Sequence, residues 1–262
     1  MNKEGNKMDF VVAYDTNVGI KKSNNEDSLL LKVVDTPLDK IAFAVVCDGM
    51  GGLEFGELAS KEVILCFDEW FHHEMPLLIK KGFTKEEIFH QWDGILHNIN
   101  MKLYEYGYQK EIQIGTTITG ILIAGEEYYA LHVGDTRLYR LHDTINCLTQ
   151  DHSFVQREIA NGRMTEEEAR EDPRKNILIQ AVGTGKQIAI DFLSGKVEKG
   201  DMYLLCSDGF RNKIYPNEIW ETLQRELIKD ENVLFQNLHT LVEENMVRME
   251  QDNITVAAIQ IL

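Results

Sequence analysis

Ile41-Ala42-Phe43-Ala44-Val45-Val46-Cys47-Asp48-Gly49-Met50-Gly51-Gly52 is the stretch that decides the fold. Residues 41–47 are apolar throughout and end on Asp-Gly. The run reads as a core strand that delivers a carboxylate at its end. The same arrangement recurs outward along the chain. Residues 128–133 lead into Gly134-Asp135, and Met202–Cys206 leads into Ser207-Asp208-Gly209. Asp252-Asn253 precedes a strand at Ile254–Ile261, and Glu26-Asp27 precedes one at 28–34. Any one Asp beside Gly or Asn is first of all a turn signal. Several at the ends of core strands form a candidate cation site, because converging carboxylates repel unless a positive charge lies between them.

The rest of the chain supplies the frame. Further strands read at 10–14, 116–124, Arg137–Leu141 and 188–193, with Gly125-Glu126-Glu127 as a hairpin connection. Helices read at 57–71 and 85–108, the first with Leu58, Val63, Cys66, Phe67 and Trp70 near helical spacing. A polar helical stretch, 153–170, breaks at Asn161-Gly162 and is closed by Asp172-Pro173. Pro216 opens a helix over 216–228. A last helix, 230–249, carries Leu234, Leu238, Leu241, Val242 and Met249 as a core stripe. Strands in blocks, interrupted by helix pairs, predict an α+β fold of antiparallel sheets with helices packed outside. No repeat, linker or low-complexity tract divides the chain, so one domain spans 1–262.

Composition narrows the function. Lys and Arg number 27 against 43 Asp and Glu, a net charge of −16 over 262 residues. Such a chain is a poor general binder of nucleic acid or of an anionic membrane surface. Most of the carboxylates serve solubility. No apolar run approaches the roughly 20 residues of a membrane span, and the polar start at Met1–Lys7 lacks a secretion signal. Cys47, Cys66, Cys147 and Cys206 form no C-x-x-C, and three sit among apolar residues. They read as reduced core thiols of a cytoplasmic protein. The eight His are scattered, which argues against zinc. Mg²⁺ and Mn²⁺ suit a carboxylate site, since they take oxygen ligands and retain waters. No enzyme nucleophile is apparent. A tyrosine-phosphatase loop on Cys206 needs Arg where Asn212 stands, with Arg211 one place early, and there is no G-x-S-x-G elbow.

The order of the acidic motifs resembles the PP2C (PPM) family of metal-dependent Ser/Thr protein phosphatases, bacterial single-domain type. Ser23-Asn24-Asn25-Glu26-Asp27-Ser28 is similar to the family's first motif, and Val46–Gly52 to its most diagnostic one. Gly115-Thr116-Thr117, Val133-Gly134-Asp135-Thr136-Arg137 and Leu148-Thr149-Gln150-Asp151-His152-Ser153 follow in family order. So do Ala181-Val182-Gly183, Cys206–Gly209 and Asp252-Asn253-Ile254-Thr255. The resemblance implies a four-layer αββα sandwich of two antiparallel sheets flanked by helix pairs. It implies a binuclear Mn²⁺ or Mg²⁺ site held by Asp48, the carbonyl of Gly49, Asp208 and Asp252. Glu26 and Asp27 would act mainly through water, and Asp135 with Asp208 would serve a third metal site. Catalysis by Asp48, Asp208 and Asp252 would run through metal-activated water, with no covalent intermediate. Residues 153–186 would form a flap beside the cleft. The implied partners are phosphorylated proteins, such as those of a Ser/Thr kinase, and the expected state is a monomer.

Four positions depart from the family pattern. Lys22 stands where a phosphate-gripping Arg is usual, which keeps the charge but loses the bidentate fork. Met50 replaces a His proposed as general acid, and Leu53 and Gln180 sit where His and Arg are common. Two alternatives therefore stand beside turnover of many substrates. One is a catalytically weak module that binds phosphoproteins; the other is a phosphatase dedicated to a single regulator protein, of anti-sigma-antagonist type.

Overall fold

In the computed structural model the described residues are 8–37, 39–51 and 55–262, so Gly52 and Leu53 lie outside them. Two antiparallel sheets stack face to face. The first contains β1 (Phe10–Asn17), β11 (Ile254–Ile261), β10 (Met202–Cys206), β7 (Arg137–Leu141) and β8 (Ile145–Cys147), in that order. The second contains β2 (Asp27–Asp35), β3 (Lys40–Met50), β5 (Ile118–Ala124), β6 (Glu127–Val133) and β9 (Asp191–Lys196), with short β4 (Gly115–Thr116) on the end of β3.

The period-2 alternation of each strand divides the interior into three apolar layers. Ala42, Ala44 and Val46 of β3 point between the sheets, against Tyr203, Leu205, Ala257 and Ile259. Ile41, Phe43, Val45 and Cys47 point the other way, against α1 (Phe55–His73), α2 (Met75–Lys81) and α3 (Lys85–Lys110). On the far side, Leu204, Val256 and Ala258 meet α7 (Pro216–Thr222) and α8 (Glu231–Val247). That is the four-layer αββα sandwich. Residues 41–47 are an unbroken apolar run because both faces of β3 are covered. No helix among the described residues is long and apolar enough to cross a membrane.

Several expectations are corrected. A one-residue break at Thr117 separates β4 from β5, because its N–H goes to the Asp48 carbonyl at 2.9 Å. The strand placed at 188–193 begins only at Asp191. Gln180 takes both main-chain groups of Ala189, at 2.7 and 2.8 Å, and withholds them from the ladder. The helix at 216–228 stops at Thr222, whose carbonyl is capped by Asn237 Nδ2 at 2.9 Å. Met249 is not core: it follows α8 with φ +65° and is 63 % exposed. Leu58 is also exposed, on the solvent side of α1. Of the four free thiols only Cys47 and Cys206 are buried, and Cys147 is exposed. α2, β8, the one-turn α6 (Asp208–Arg211) and the split of 153–170 into α4 (Phe154–Ala160) and α5 (Glu166–Glu171) complete the element list. Gly125, with φ +60°, and Glu126 form the two-residue hairpin between β5 and β6.

Phe43 is the centre of the outer core of the second sheet. It stacks on Phe71 at 5.3 Å and lies 5.5 Å from Trp70 and 6.1 Å from Trp92. Phe43→Ala is expected to cost about 3–5 kcal/mol, since the buried β3 backbone cannot collapse into the cavity. Urea unfolding checks this: the midpoint falls while the slope holds.

Candidate metal centre

All the motif carboxylates come to one end of the sandwich. Asp27 opens β2 and Asp48 stands near the end of β3, directly opposite it in the antiparallel register. Cys206 at the end of β10 pairs with Val256 of β11 and with Arg137 of β7. That register brings Asp208, Asp252 and Asp135 to the same edge from the other sheet. Burial first, then Asp27, Asp208, Asp135 and Asp252 in turn, push the Asp48 carboxyl well above the usual carboxylate range.

The Asp-Gly pairs here are not turns. Gly49 lies inside β3 and Gly209 inside α6. Glycine is required because other backbone comes too close for a Cβ. At Gly49 a Cβ would meet the Gly56 carbonyl oxygen at 2.2 Å, and at Gly209 the Asn253 carbonyl oxygen at 2.0 Å. Gly56 itself admits the Glu26 carboxylate, since a Cβ there would lie 2.5 Å from Oε1. These close approaches seat the loops against one another.

Asn253 ties the two sheets together at this edge. Its Oδ1 accepts from the Glu26 N–H at 2.9 Å, and its Nδ2 donates to the carbonyls of Val18 and Asn24 at 2.9 and 3.0 Å. The Glu26 carbonyl in turn accepts from Gly49 N–H at 3.1 Å and from the Ser60 hydroxyl at 2.6 Å. Thr117 Oγ1 accepts from Asp48 N–H at 3.0 Å. Glu26 and Asp48 are thus held through their backbones by bonds that draw on none of their carboxylate oxygens.

Those oxygens are the fit test for a cation. Both Asp27 oxygens, Asp208 Oδ1 and Glu26 Oε1 are buried without a hydrogen-bond partner among the described residues. Burial drives Asp27 up to about 7, with Asp208 and Asp252 adding to the shift and the nearby Thr255 and Ser207 hydroxyls opposing it. Asp135 also rises to about 7, through burial and Asp208, against the pull of Arg211. Burial likewise raises Asp208. Buried anions without partners are costly, and a divalent cation would supply what is missing. Among the described residues no three His, Cys, Asp or Glu side chains close around a single ion position. The donor set fits an ion that keeps most of its waters and takes few protein oxygens, as Mg²⁺ and Mn²⁺ do.

Lys22 reaches into the cluster, with its Nζ 2.9 Å from Asp252 and 3.4 Å from Glu26. Met50 is half-buried at the end of β3. Gln180 leaves no gap at its position: besides Ala189 it contacts His152 Nδ1 at 3.2 Å. Gly134 N–H donates to His152 Nδ1 at 3.1 Å, which places an imidazole beside the turn that carries Asp135. Sequence reasoning missed the salt-bridge network behind Asp135. Arg137 grips Asp151 with two bonds of 2.8 Å, and Arg211 joins Asp151 to Asp135. Asp135, Arg137 and Asp151 stand in the motifs and Arg211 lies just beyond one, but nothing in their spacing pairs them. Beyond this network opens a cleft of about 620 Å³, lined by Arg170, Lys175, Lys213 and Tyr215 among others.

The metal-free cluster has a signature in pH. Asp27 and Asp135 sit at about 7 when folded, against 3.8 for an ordinary Asp. Between these values the folded chain holds more protons than the unfolded one. Its stability therefore falls as pH rises from about 4 to about 7 and levels off above. Thermal unfolding in chelator between pH 5 and 8 is expected to show that fall, and added Mn²⁺ is expected to remove it. A flat profile in chelator contradicts the assignment.

Residues 19–243 match the family model described as protein phosphatase 2C. The chain is 30 % identical to protein phosphatase PhpP of Streptococcus pneumoniae over 247 residues, which cover 93 % of this chain and 94 % of that protein. The S. agalactiae serine/threonine phosphatase superposes with a TM-score of 0.80 at 28 % identity, covering 97 % of this chain and 99 % of that one. The catalytic domain of the phosphatase PstP, solved in complex with two manganese ions, superposes with a TM-score of 0.79 at 26 % identity, covering 98 % and 100 %. With the αββα sandwich and its edge cluster of carboxylates, these matches establish that the chain belongs to the protein phosphatase 2C family of metal-dependent Ser/Thr phosphatases.

Proposed function

We propose that the chain removes phosphate from phosphoserine and phosphothreonine of partner proteins at the edge cluster, by direct attack of water. The observation that carries this reading is the set of buried, unpartnered carboxylate oxygens on Asp27, Asp208 and Glu26 around Asp48. Asp48, the Gly49 carbonyl, Asp208 and Asp252 would hold two divalent ions, with Glu26 and Asp27 acting mainly through their waters. Bound there, Mn²⁺ or Mg²⁺ supplies water activation and charge neutralisation at the phosphoryl group.

This chain's own residues do the rest. The Asn253, Ser60 and Thr117 hydrogen bonds fix the carboxylate-bearing backbones before substrate arrives, so little reorganisation is left for the reaction. Lys22 presents its ammonium at the cluster edge, where it can meet a phosphate oxygen. The cysteines beside the motif acids are unfit as nucleophiles. Cys47 and Cys206 point into the cores, and burial pushes the Cys206 thiol up to about 12. A thiol held that high is unreactive, which favours water as the attacking group. Residues 153–186, which carry α4 and α5 over the 620 Å³ cleft, are read as the flap that meets the protein substrate. A cytoplasmic monomer opposing a Ser/Thr kinase is the physiological setting this reading favours.

With a phosphothreonine peptide, hydrolysis is expected with Mn²⁺ or Mg²⁺, none in chelator, and none measurable in Asp48→Asn or Asp208→Asn. Activity that survives chelation overturns the reading, and binding without turnover favours the phosphoprotein-binding alternative. Lys22→Ala is expected to raise KM about tenfold, the worth of one charge-assisted hydrogen bond of ~1.5 kcal/mol. Lys22→Arg is expected to lower KM, and an unchanged KM in both variants removes Lys22 from phosphate binding.

A further inference from the structure

Arg211 occupies a position that no acidic motif accounts for. It lies three residues after Asp208 on the single turn of α6, and i,i+3 spacing puts both on one face. From there its Nη2 donates to the Asp135 carbonyl at 3.0 Å, to Asp135 Oδ2 at 3.3 Å and to Asp151 Oδ2 at 3.3 Å. The side chain is only 15 % exposed. The turn that carries it is fixed from outside: Asn245 Nδ2 of α8 donates to the Phe210 carbonyl at 2.8 Å, and Phe210 is fully buried. Arg211 therefore stands beside Asp135 and Asp208, the two carboxylates expected to share a third ion.

We propose that the Arg211 guanidinium is the resident cation of that position, so that the chain takes up two divalent ions and not three. The inference rests on the metal-dependent reading above. Charge balance supports it. Asp135 and Asp151 are matched by Arg137 and Arg211 in one hydrogen-bonded quartet. Glu250, buried nearby, is solvated by the N–H groups of Gln251 and Asp252 at 2.8 and 3.1 Å. What remains is Glu26, Asp27, Asp48, Asp208 and Asp252, with Lys22 as their one ion-paired cation among the described residues. With Glu250 set apart on neighbouring backbone N–H groups, four uncompensated negative charges are left, the charge of two divalent ions. A third ion next to Arg211 would be opposed by a fixed positive charge in a poorly solvated place.

The test is Mn²⁺ stoichiometry, read by native mass spectrometry and isothermal titration on the full chain, with no substrate present. The wild type is expected to bind two ions per chain. Arg211→Gln, which keeps a hydrogen-bond donor and removes the charge, is expected to bind a third. Arg211→Lys, which keeps the charge, is expected to stay at two. Should Arg211→Gln not fold, Asp135→Asn decides: stoichiometry stays at two if Arg211 is the partner of Asp135, and falls by one if Asp135 holds an ion. Three ions on the wild type, or two on a folded Arg211→Gln, overturns the proposal. No ion on the wild type overturns the metal-dependent reading itself, a result distinct from either.

Discussion

Asp27 and Asp48 face each other directly across β2 and β3. Like charges opposite one another in a ladder are destabilising, and here Asp27 is buried as well. Everything else at this end of the molecule follows from keeping that pair in place. The three apolar layers supply the stability that lets the sheets end in mutual repulsion. Glu26 and Asp48 are anchored through backbone hydrogen bonds, and the buried oxygens of Asp27, together with Asp208 Oδ1 and Glu26 Oε1, have no hydrogen-bond partner among the described residues. A site that strains the fold without its ions is one that ions will stabilise.

The charges are sorted into two groups by what stands behind them. Toward the β7 side, arginines from β7 and α6 close a compensated network around Asp151 and Asp135. Burial would raise Asp151, but Arg211 and Arg137 outweigh it and hold its carboxyl below the ordinary value. Toward β2 and β3 no arginine intrudes among the described residues, and the carboxyls of Asp27 and Asp48 are pushed up instead. The division bears on the proposed site, because the uncompensated side is where divalent cations would bring the opposite charge.

Much of the fold was legible. An apolar run such as 41–47, buried on both faces, can only be a central strand, and β7, β10 and β11 fall where alternation put them. α2 carried readable signals as well, with Pro76 at its start and Gly82, φ +76°, after its end. The misplacements share a cause. β9 starts late because Gln180 captures Ala189, and α7 ends early because Asn237 caps it. In each, a side chain from elsewhere took a main-chain group that local pattern assigned to a ladder or a helix.

The sequence by itself determined the order of the long strands and helices and the carboxylates that follow the apolar runs of β3, β6 and β10. These are local properties, written in periodicity and residue type. Tertiary structure alone decided which groups meet. Glu26 and Asn253 are 227 residues apart in the chain, yet their hydrogen bond joins the sheets at the site. The glycines of the Asp-Gly pairs looked like turn residues and are instead points of backbone contact. Arg211, discarded as one place out of register for a thiol-phosphatase loop, became the cation beside Asp135. Such pairings depend on packing between distant segments, and no local spacing encodes them.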